Sequence, residues 1–444
     1  MLQTSKVHID SNNKDGIDLN VLYRLCYHSA RLYNVGLYSV RQYYFNTKKY
    51  LPYNKNYHEC KTNENYRSLL SDASIQILRI VDRDMNSFFK MIKLKNSGKY
   101  SDEIRLPHYK KKEGVMTMPI YGRSCKIQKN GTVKICLTKT FRELYNIDYE
   151  RLTITIPKNL RSIPYFNEIR IVPLFDGKEF NIEFTYDTKY LNIKQTTEKA
   201  NGYLSIDTGI NNLLTCTFHS NSKPACAFII DGRYIKNVNY YHNKKRKELM
   251  DIYIKNKSFD RMNTKRFRRL SNGRINRINN YFNHAVKTII DFCLFNDVKN
   301  IIIGYNKNQK REINIGRINN QNSTYIPLYK LCFKLQSKCE LHGINYIPVE
   351  ESYTSKASAV DLDFIPTKGD GNTNPVFSGK RVKRGLYKTK DKLKINADVN
   401  GSINILRKYL QESKLNDLKF DNVRVFVNTP VKRLNLYKAH KISA

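Results

Sequence analysis

Between Asp18 and Gly98 the apolar residues return at intervals of three and four: Leu22, Cys26, Ala30 and Tyr33, then Ile75, Leu78, Val81, Met85 and Phe88. That spacing gathers them on one helix face and predicts an all-α segment. Near Leu106-Pro107-His108-Tyr109-Lys110-Lys111-Lys112 the period shortens to two. Alternating runs follow at Thr132 to Leu137, Leu152 to Ile156, Ile169 to Leu174 and Phe180 to Tyr186, with turn pairs such as Asn130-Gly131 and Asp176-Gly177 between them. Short strands with such turns predict a small β-barrel or sandwich. Residues Thr188 to Gly202 are polar and read as a linker. Three strand-like stretches come next (Tyr203 to Asp207, Leu213 to Phe218, Ala225 to Ile230), then a long basic helical region from Tyr234 to Asn296. A strand at Asn300 to Gly304, a helix at Tyr325 to His342, a strand at Ile344 to Val349 and a helix at Asn396 to Leu410 complete the pattern. Three meandering strands followed by alternating helices and strands are the order of an RNase H-like α/β domain.

Charge narrows the partner. The 444 residues carry 78 Lys and Arg against 39 Asp and Glu, a formal charge of +39, which calls for a polyanion. A ribosomal or chromatin-like protein, or a basic membrane-surface protein, shares that composition. All aromatics are Tyr and Phe, and several interleave with cations, as in Tyr240-Tyr241-His242-Asn243-Lys244-Lys245-Arg246-Lys247. Base stacking beside phosphate contacts suits such a run. Met1 to Ile9 lack the basic and apolar regions of a leader, and no window approaches 18 apolar residues, so a soluble, intracellular protein is expected. The nine Cys are scattered with no CxxC pair, which argues against both disulfides and a zinc ribbon.

Two acids stand out. Leu204-Ser205-Ile206-Asp207-Thr208-Gly209 ends an apolar strand in a carboxylate, which a buried strand presents only to a metal or a partner. Asn396-Ala397-Asp398-Val399-Asn400 puts a second Asp on the first turn of an amphipathic helix, where it also complements the helix dipole. Together they suit a phosphodiesterase holding two Mg2+ ions about 4 Å apart, one activating water and one stabilising the leaving 3′ oxygen. A third acid is expected.

The run Ile206-Asp207-Thr208-Gly209-Ile210-Asn211-Asn212, the motif Tyr353-Thr354-Ser355-Lys356 and the stretch Asn396 to Asn400 with Asn404-Ile405 resemble the RuvC motifs of the TnpB (OrfB) family, which is related to the Fanzor proteins and to type V CRISPR effectors. The resemblance spans about residues 203 to 407. It implies a multidomain α+β protein: an N-terminal β-barrel (wedge) interrupted by a helical recognition domain, then a C-terminal RNase H-like (RuvC) α/β domain. The expected boundaries are 1–15 for the first wedge strand, 16–104 for recognition, 105–195 for the wedge barrel and 196–444 for the nuclease, with a basic helical insertion at 234–296.

In most of that family the strand matching Asn300-Ile301-Ile302-Ile303-Gly304 ends in the middle catalytic Glu, but here the position is Gly304. Glu312 lies too far into the following loop. Val349-Glu350-Glu351-Ser352-Tyr353-Thr354-Ser355 instead resembles the Fanzor-like branches whose Glu has moved to the strand before the Thr-Ser motif. Side chains alternate along a strand, so one of Glu350 and Glu351 faces the two Asp. Aligning on Thr354-Ser355 favours Glu351, with Glu350 the alternate. The second departure is a basic insert at 358–394, including Lys380, Arg381, Lys383 and Arg384, where typical members carry a zinc ribbon; no zinc is expected.

The implied function is a transposon-encoded, RNA-guided DNA endonuclease that binds guide RNA from its own locus and double-stranded target DNA beside a short target-adjacent motif. Asp207, Glu351 and Asp398 would hold two Mg2+ ions, and the cut would leave 5′-phosphate and 3′-hydroxyl ends. Lys244, Lys245, Arg246 and Lys247, with Lys265, Arg266, Arg268 and Arg269, are expected to touch the guide–target duplex through its backbone, and His284 to serve packing or nucleic-acid contact. A bacterial cytoplasm, with work at the nucleoid and no membrane, follows. Three rivals stay open: a nuclease-inactive RNA-guided repressor, a miniature type V effector, and a transposase that joins DNA ends itself.

Overall fold

The computed structural model describes residues 1–13, 16–255, 264–304, 326–367, 375–383, 385–413 and 420–437. The chain divides into two compact units, Met1–Asn192 and Ile193–Ala444.

In the first unit, β1 (Leu2–Ile9) precedes helices α1 (Leu19–Thr47), α2 (Tyr53–Cys60), α3 (Glu64–Arg67) and α4 (Ser71–Asn96). Then come β2 (Met118–Tyr121), β3 (Cys125–Ile127), β4 (Thr132–Cys136), α5 (Lys139–Tyr145), β5 (Arg151–Thr155), β6 (Glu168–Leu174) and β7 (Glu179–Asp187). The Asp18 carboxylate caps α1 by accepting from the Asn20 N–H. Leu22, Cys26, Ala30 and Tyr33 are buried as their spacing predicts. On α4, Ile77 joins Leu78, Val81 and Met85 in the core while Ile75 is only half-buried, because the stripe drifts around a helix of 3.6 residues per turn. The first strand pairs along its whole length with the last, from Leu2 opposite Asp187 to Ile9 opposite Phe180. The helices are therefore an excursion between two paired strands.

The strands form two antiparallel sheets, ordered β1-β7-β6-β2 and β3-β4-β5, and among the described residues no pairing joins them into a closed barrel. Their inward residues, Ile169, Ile171 and Ile182 from one and Val133, Ile135 and Ile154 from the other, share one core with the helices. Both turn pairs adopt positive φ where expected, at Gly131, Asp176 and Gly177. Gly122 answers a close approach, since a Cβ there would lie 1.5 Å from the Phe166 carbonyl oxygen.

In the second unit, β8 (Gly202–Thr208), β9 (Asn212–His219) and β10 (Cys226–Asp231) meander, followed by α6 (Arg233–Lys255) and α7 (Lys265–Phe295). After them come β11 (Val298–Gly304), α8 (Leu328–His342), β12 (Asn345–Val349), a small sheet of β13 (Lys380–Lys383), β14 (Leu386–Lys388) and β15 (Lys394–Asn396), then α9 (Ala397–Ser413) and β16 (Lys432–Leu434). The main sheet runs β12-β11-β8-β9-β10-β16. Strands β12, β11 and β8 are parallel, β9 is antiparallel to both its neighbours, and β16 is parallel to β10. Alternation assigns its faces: Leu204, Ile206, Ile301 and Ile303 pack with α7 and α8, while Tyr203, Ile302 and Val349 pack with Ile405, Leu406 and Leu410 of α9. The linker belongs to this unit from residue 193 onward, where Gln195 and Thr196 donate to the Leu341 and His342 carbonyls at the end of α8. The architecture is a mixed α/β protein of several sheets and helices.

Candidate active site

Odd-numbered residues of β8 point toward α9, and two of them meet it through polar atoms. Ser205 lies in a buried hydroxyl cluster with Thr217 of β9 and Ser402 of α9; Ser402 Oγ donates to the Ser205 carbonyl at 2.9 Å and stands 3.0 Å from Thr217 Oγ1. Asp207, two residues on, sits over Gly401: a Cβ there would come 3.2 Å from Asp207 Oδ2. The next acid, Asp398, is one turn back along α9. Asn396 caps that helix, its side-chain oxygen accepting from the Asp398 and Val399 N–H groups at 3.0 and 3.2 Å. Asp398 Oδ2 accepts from Asn212 Nδ2 at 2.5 Å, and Arg433 Nη1 of β16 in turn donates to Asn212 Oδ1 at 2.5 Å.

The two Glu after β12 go to different places. Glu350 Oε2 accepts from Lys408 Nζ at 2.5 Å, and its other oxygen accepts from the Ser352 N–H at 2.9 Å and from the Ser352 hydroxyl. Burial alone would push Glu350 upward, but the Lys408 and Ser352 hydrogen bonds outweigh it and hold the carboxyl below its usual range. Glu351 lies on the β11 side, where Gly304 leaves room: a Cβ on Gly304 would come 3.2 Å from Glu351 Oε2 and 2.6 Å from Ile405 Cδ1. Burial, then the nearby Glu350 charge, raises the Glu351 carboxyl. Asp207 registers the convergence most strongly. Desolvation first, then repulsion from Asp398 and from Glu351, pushes it to about 8, against the pull of Arg381 and the Thr208 N–H.

Around Asp207 and Asp398 opens a cleft of about 660 Å³ whose walls include Asn212, Arg233, Lys236, Arg381 and Arg433. Arg381 Nη2 is 3.6 Å from Asp398 Oδ1. Its strand is anchored by two acids at the start of the insert: Asp361 and Asp363 accept from the Ser378 N–H and hydroxyl, the Ser358 N–H and hydroxyl, and the Lys390 N–H at 2.5 to 3.2 Å. On a second stripe of α9, Asn400 Nδ2 donates to the Ala357 carbonyl, and Asn404 Nδ2 to those of Thr354 and Ala357, at 2.7 to 2.9 Å. The motif Asn residues thus hold the Thr-Ser turn onto the helix that carries Asp398.

The donors suit Mg2+, which takes carboxylate oxygens, and a cation among them would relieve the repulsion that raises the Asp207 carboxyl. Among the described residues, no three Asp, Glu, His or Cys side chains stand at the spacing of ligands to one ion.

The other expected contacts scatter. Lys244, Arg246 and Lys247 are exposed on α6, and Lys245 pairs with Glu248 at 2.7 Å. On α7, Lys265, Arg266 and Arg269 are exposed, whereas Arg268 points inward and is buried, which places it in packing rather than on an open surface. None of these lines the cleft. Lys380 and Lys383 are exposed on β13, and His284 packs edge-on to Tyr437. Arg384 and Glu312 lie outside the described residues. Asn212, Arg233, Lys236, Arg433 and Lys408 were not singled out from sequence. The Gly209 turn hints at Asn212, but three-residue β16 has too short a pattern to flag Arg433.

Two family models match the chain: one for a probable transposase (OrfB, IS605 type) over residues 182–310, and one for the Cas12f1-like TNB domain over 329–405. No curated protein matches. Similar solved structures include the Cas12f1–sgRNA–target DNA complex (14% identity over 91% of this chain and 98% of that chain, TM-score 0.33). Others are a CRISPR-Cas12f ternary complex (15%, 87% and 80%, TM-score 0.35) and the mini-RNA-guided endonuclease CRISPR-Cas_phi3 (11%, 92% and 92%, TM-score 0.45). The chain is thus similar to a probable-transposase (OrfB, IS605 type) family over residues 182–310 and to the Cas12f1-like TNB domain over residues 329–405, one following the other along the chain.

Proposed function

We propose that the chain is a transposon-encoded, RNA-guided DNA endonuclease that cuts with one RuvC site next to a short target-adjacent motif. The observation that carries this reading is the approach of Asp207, Asp398 and Glu351, from three distant segments, beside a cleft walled by Arg and Lys. Asp207, Glu351 and Asp398 would hold Mg2+, which activates water and stabilises the departing 3′ oxygen. The chain's own groups do the rest. Arg381, Arg233, Lys236 and Arg433 receive the DNA phosphate, Asn212 orients the Asp398 carboxylate, and α9 keeps Asp207 and Asp398 in register.

The charge of +39 supports a polyanionic partner, and a solved relative is named as a complex with sgRNA and target DNA. Among the described residues no helix is long and apolar enough to cross a membrane. In this reading residues 1–15 and 105–195 form the wedge, 16–104 recognise the duplex, and 196–444 form the nuclease, working in a bacterial cytoplasm without zinc. The remaining exposed cations of α6, α7 and β13, which do not line the cleft, follow nucleic-acid backbone outside it.

Gly304 favours a second reading, a nuclease-inactive guided repressor. Against it stands the Glu351 carboxylate, which lies where a side chain from Gly304 would point. The test is to sequence RNA that co-purifies with the protein, then assay cleavage of a matching target in Mg2+. Glu351→Ala is expected to abolish cutting, while Glu350→Ala cuts at a reduced rate. Normal cutting by both variants overturns the assignment of the third acid; guided binding by wild type without any cutting establishes the repressor.

A further inference from the structure

Lys408 is the deepest cation near the site. It is fully buried on α9, and its ammonium has three donors to place. They go to Glu350 Oε2 at 2.5 Å, the Ser352 carbonyl at 3.3 Å and the Pro366 carbonyl at 3.3 Å. Two of these acceptors flank Glu351 directly in the chain. From the far side, the Thr354 hydroxyl donates to the Glu351 carbonyl at 2.8 Å, and Asn404 of α9 holds the Thr354 carbonyl. The backbone of Glu351 is therefore fastened on both flanks to one helix.

That helix also carries Asp398, and its sheet-facing stripe reads Asp398, Gly401, Ser402, Ile405, Lys408. Gly401 borders Asp207, Ile405 closes over Gly304, and Lys408 grips the Glu350–Ser352 segment. An acid on β11 would be held by the sheet's own ladder, because Gly304 pairs with Val349. Glu351 lies beyond the end of β12 and lacks that ladder. Something else has to fix its backbone.

Resting on the nuclease reading above, we propose that Lys408 is a positioning residue of the active site: a three-point staple that holds Glu351 in the space left open by Gly304. Glu350 serves as its counter-charge and not as a metal ligand. Gly304, Glu351 and Lys408 then form a matched set, since a side chain at 304 would meet both Ile405 and the Glu351 carboxylate.

The test separates stapling from mere charge balance. Mn2+ binding to the full chain, stripped of RNA, is followed by electron paramagnetic resonance with Asp207→Asn as background. Lys408→Met leaves the Glu350 charge without its cation, whereas Glu350→Gln/Lys408→Met removes both charges and restores neutrality. Stapling predicts that both variants lose Mn2+ affinity by about tenfold or more, the usual effect of removing a group that orients a ligand, and that the double variant melts near wild type. Recovery of wild-type Mn2+ affinity in the double variant reduces Lys408 to charge balance and overturns the proposal. So does unchanged affinity in Lys408→Met. If wild type takes up Mn2+ no better than Asp207→Asn, the metal-site reading itself fails, and the staple with it; wild type that binds Mn2+ but cuts no guided target defeats only the nuclease reading.

Discussion

Gly401→Ala should make the protein more stable and a worse nuclease. Gly401 sits inside α9, where Ala is favoured over Gly by about 1 kcal/mol because Gly loses more backbone freedom on folding. The added methyl finds one tight neighbour: Asp207 Oδ2 at 3.2 Å, with Asp207 Cγ at 3.8 Å. A carbon–oxygen contact that short is relieved by moving the carboxylate a few tenths of an ångström toward the cleft, which has room for it. The helix gain is thus largely kept, and for a unit of this size about 1 kcal/mol raises the melting temperature by about 2–4 °C. Catalysis is less forgiving, because displacements below an ångström at a reacting group cost about tenfold to a hundredfold in rate. The assay is single-turnover cleavage of a guided target in Mg2+, beside a binding measurement on the same target and a thermal melt. The expected result is intact binding, an unchanged or raised melting temperature, and cleavage slowed at least tenfold. Cutting at the wild-type rate would refute the idea that Asp207 works from its seat against α9.

Three further outcomes follow. In metal-free buffer the second unit should lose stability as pH rises from about 4 toward about 8. Asp207 keeps its proton in the folded chain up to about 8 while the unfolded chain releases it near 3.8, so in this window the folded state binds more protons; Asp207→Asn should flatten that slope, and an unchanged profile would mean the carboxylate is not raised. Asn404→Ala strips the Thr354 and Ala357 carbonyls of a buried donor and should lower stability by about 2 kcal/mol in denaturant unfolding, with slower cleavage as the Thr-Ser turn loosens; a variant that unfolds like wild type contradicts the role given to the motif Asn. Elemental analysis of the purified chain should find no stoichiometric zinc, and a zinc chelator should leave the melting curve in place, because the insert is tied by Asp361 and Asp363; a stoichiometric zinc signal would show ligands outside the expected pattern.

Particular residues show how far sequence reasoning carried. Asp207 was conspicuous because an apolar strand has no ordinary reason to end in a carboxylate, and Asp398 because a helix N-terminus followed it. Alternation required one of Glu350 and Glu351 to turn away from the other acids. Which one turns depends on Lys408, a cation 58 positions along the chain, and no local pattern signals such a partner. Arg268 shows the converse error: within a run of cations it looks like surface, yet the 3.6-residue turn carries it inward beside Phe267. The β-barrel expected upstream takes the form of two sheets among the described residues, because alternation fixes which face of a strand is buried but leaves its partners open.

Hydrophobic period, turn residues and charge are properties of neighbours in the chain. By themselves they determined the order of helices and strands, the expectation of a polyanionic partner and the two Asp worth watching. The third acid's surroundings, the cations of the cleft and the Lys408 staple arise where segments far apart in the chain share a few ångströms. Coulomb repulsion and desolvation act only across that space, so the raised carboxyl of Asp207 existed nowhere in the sequence and only the fold decided it.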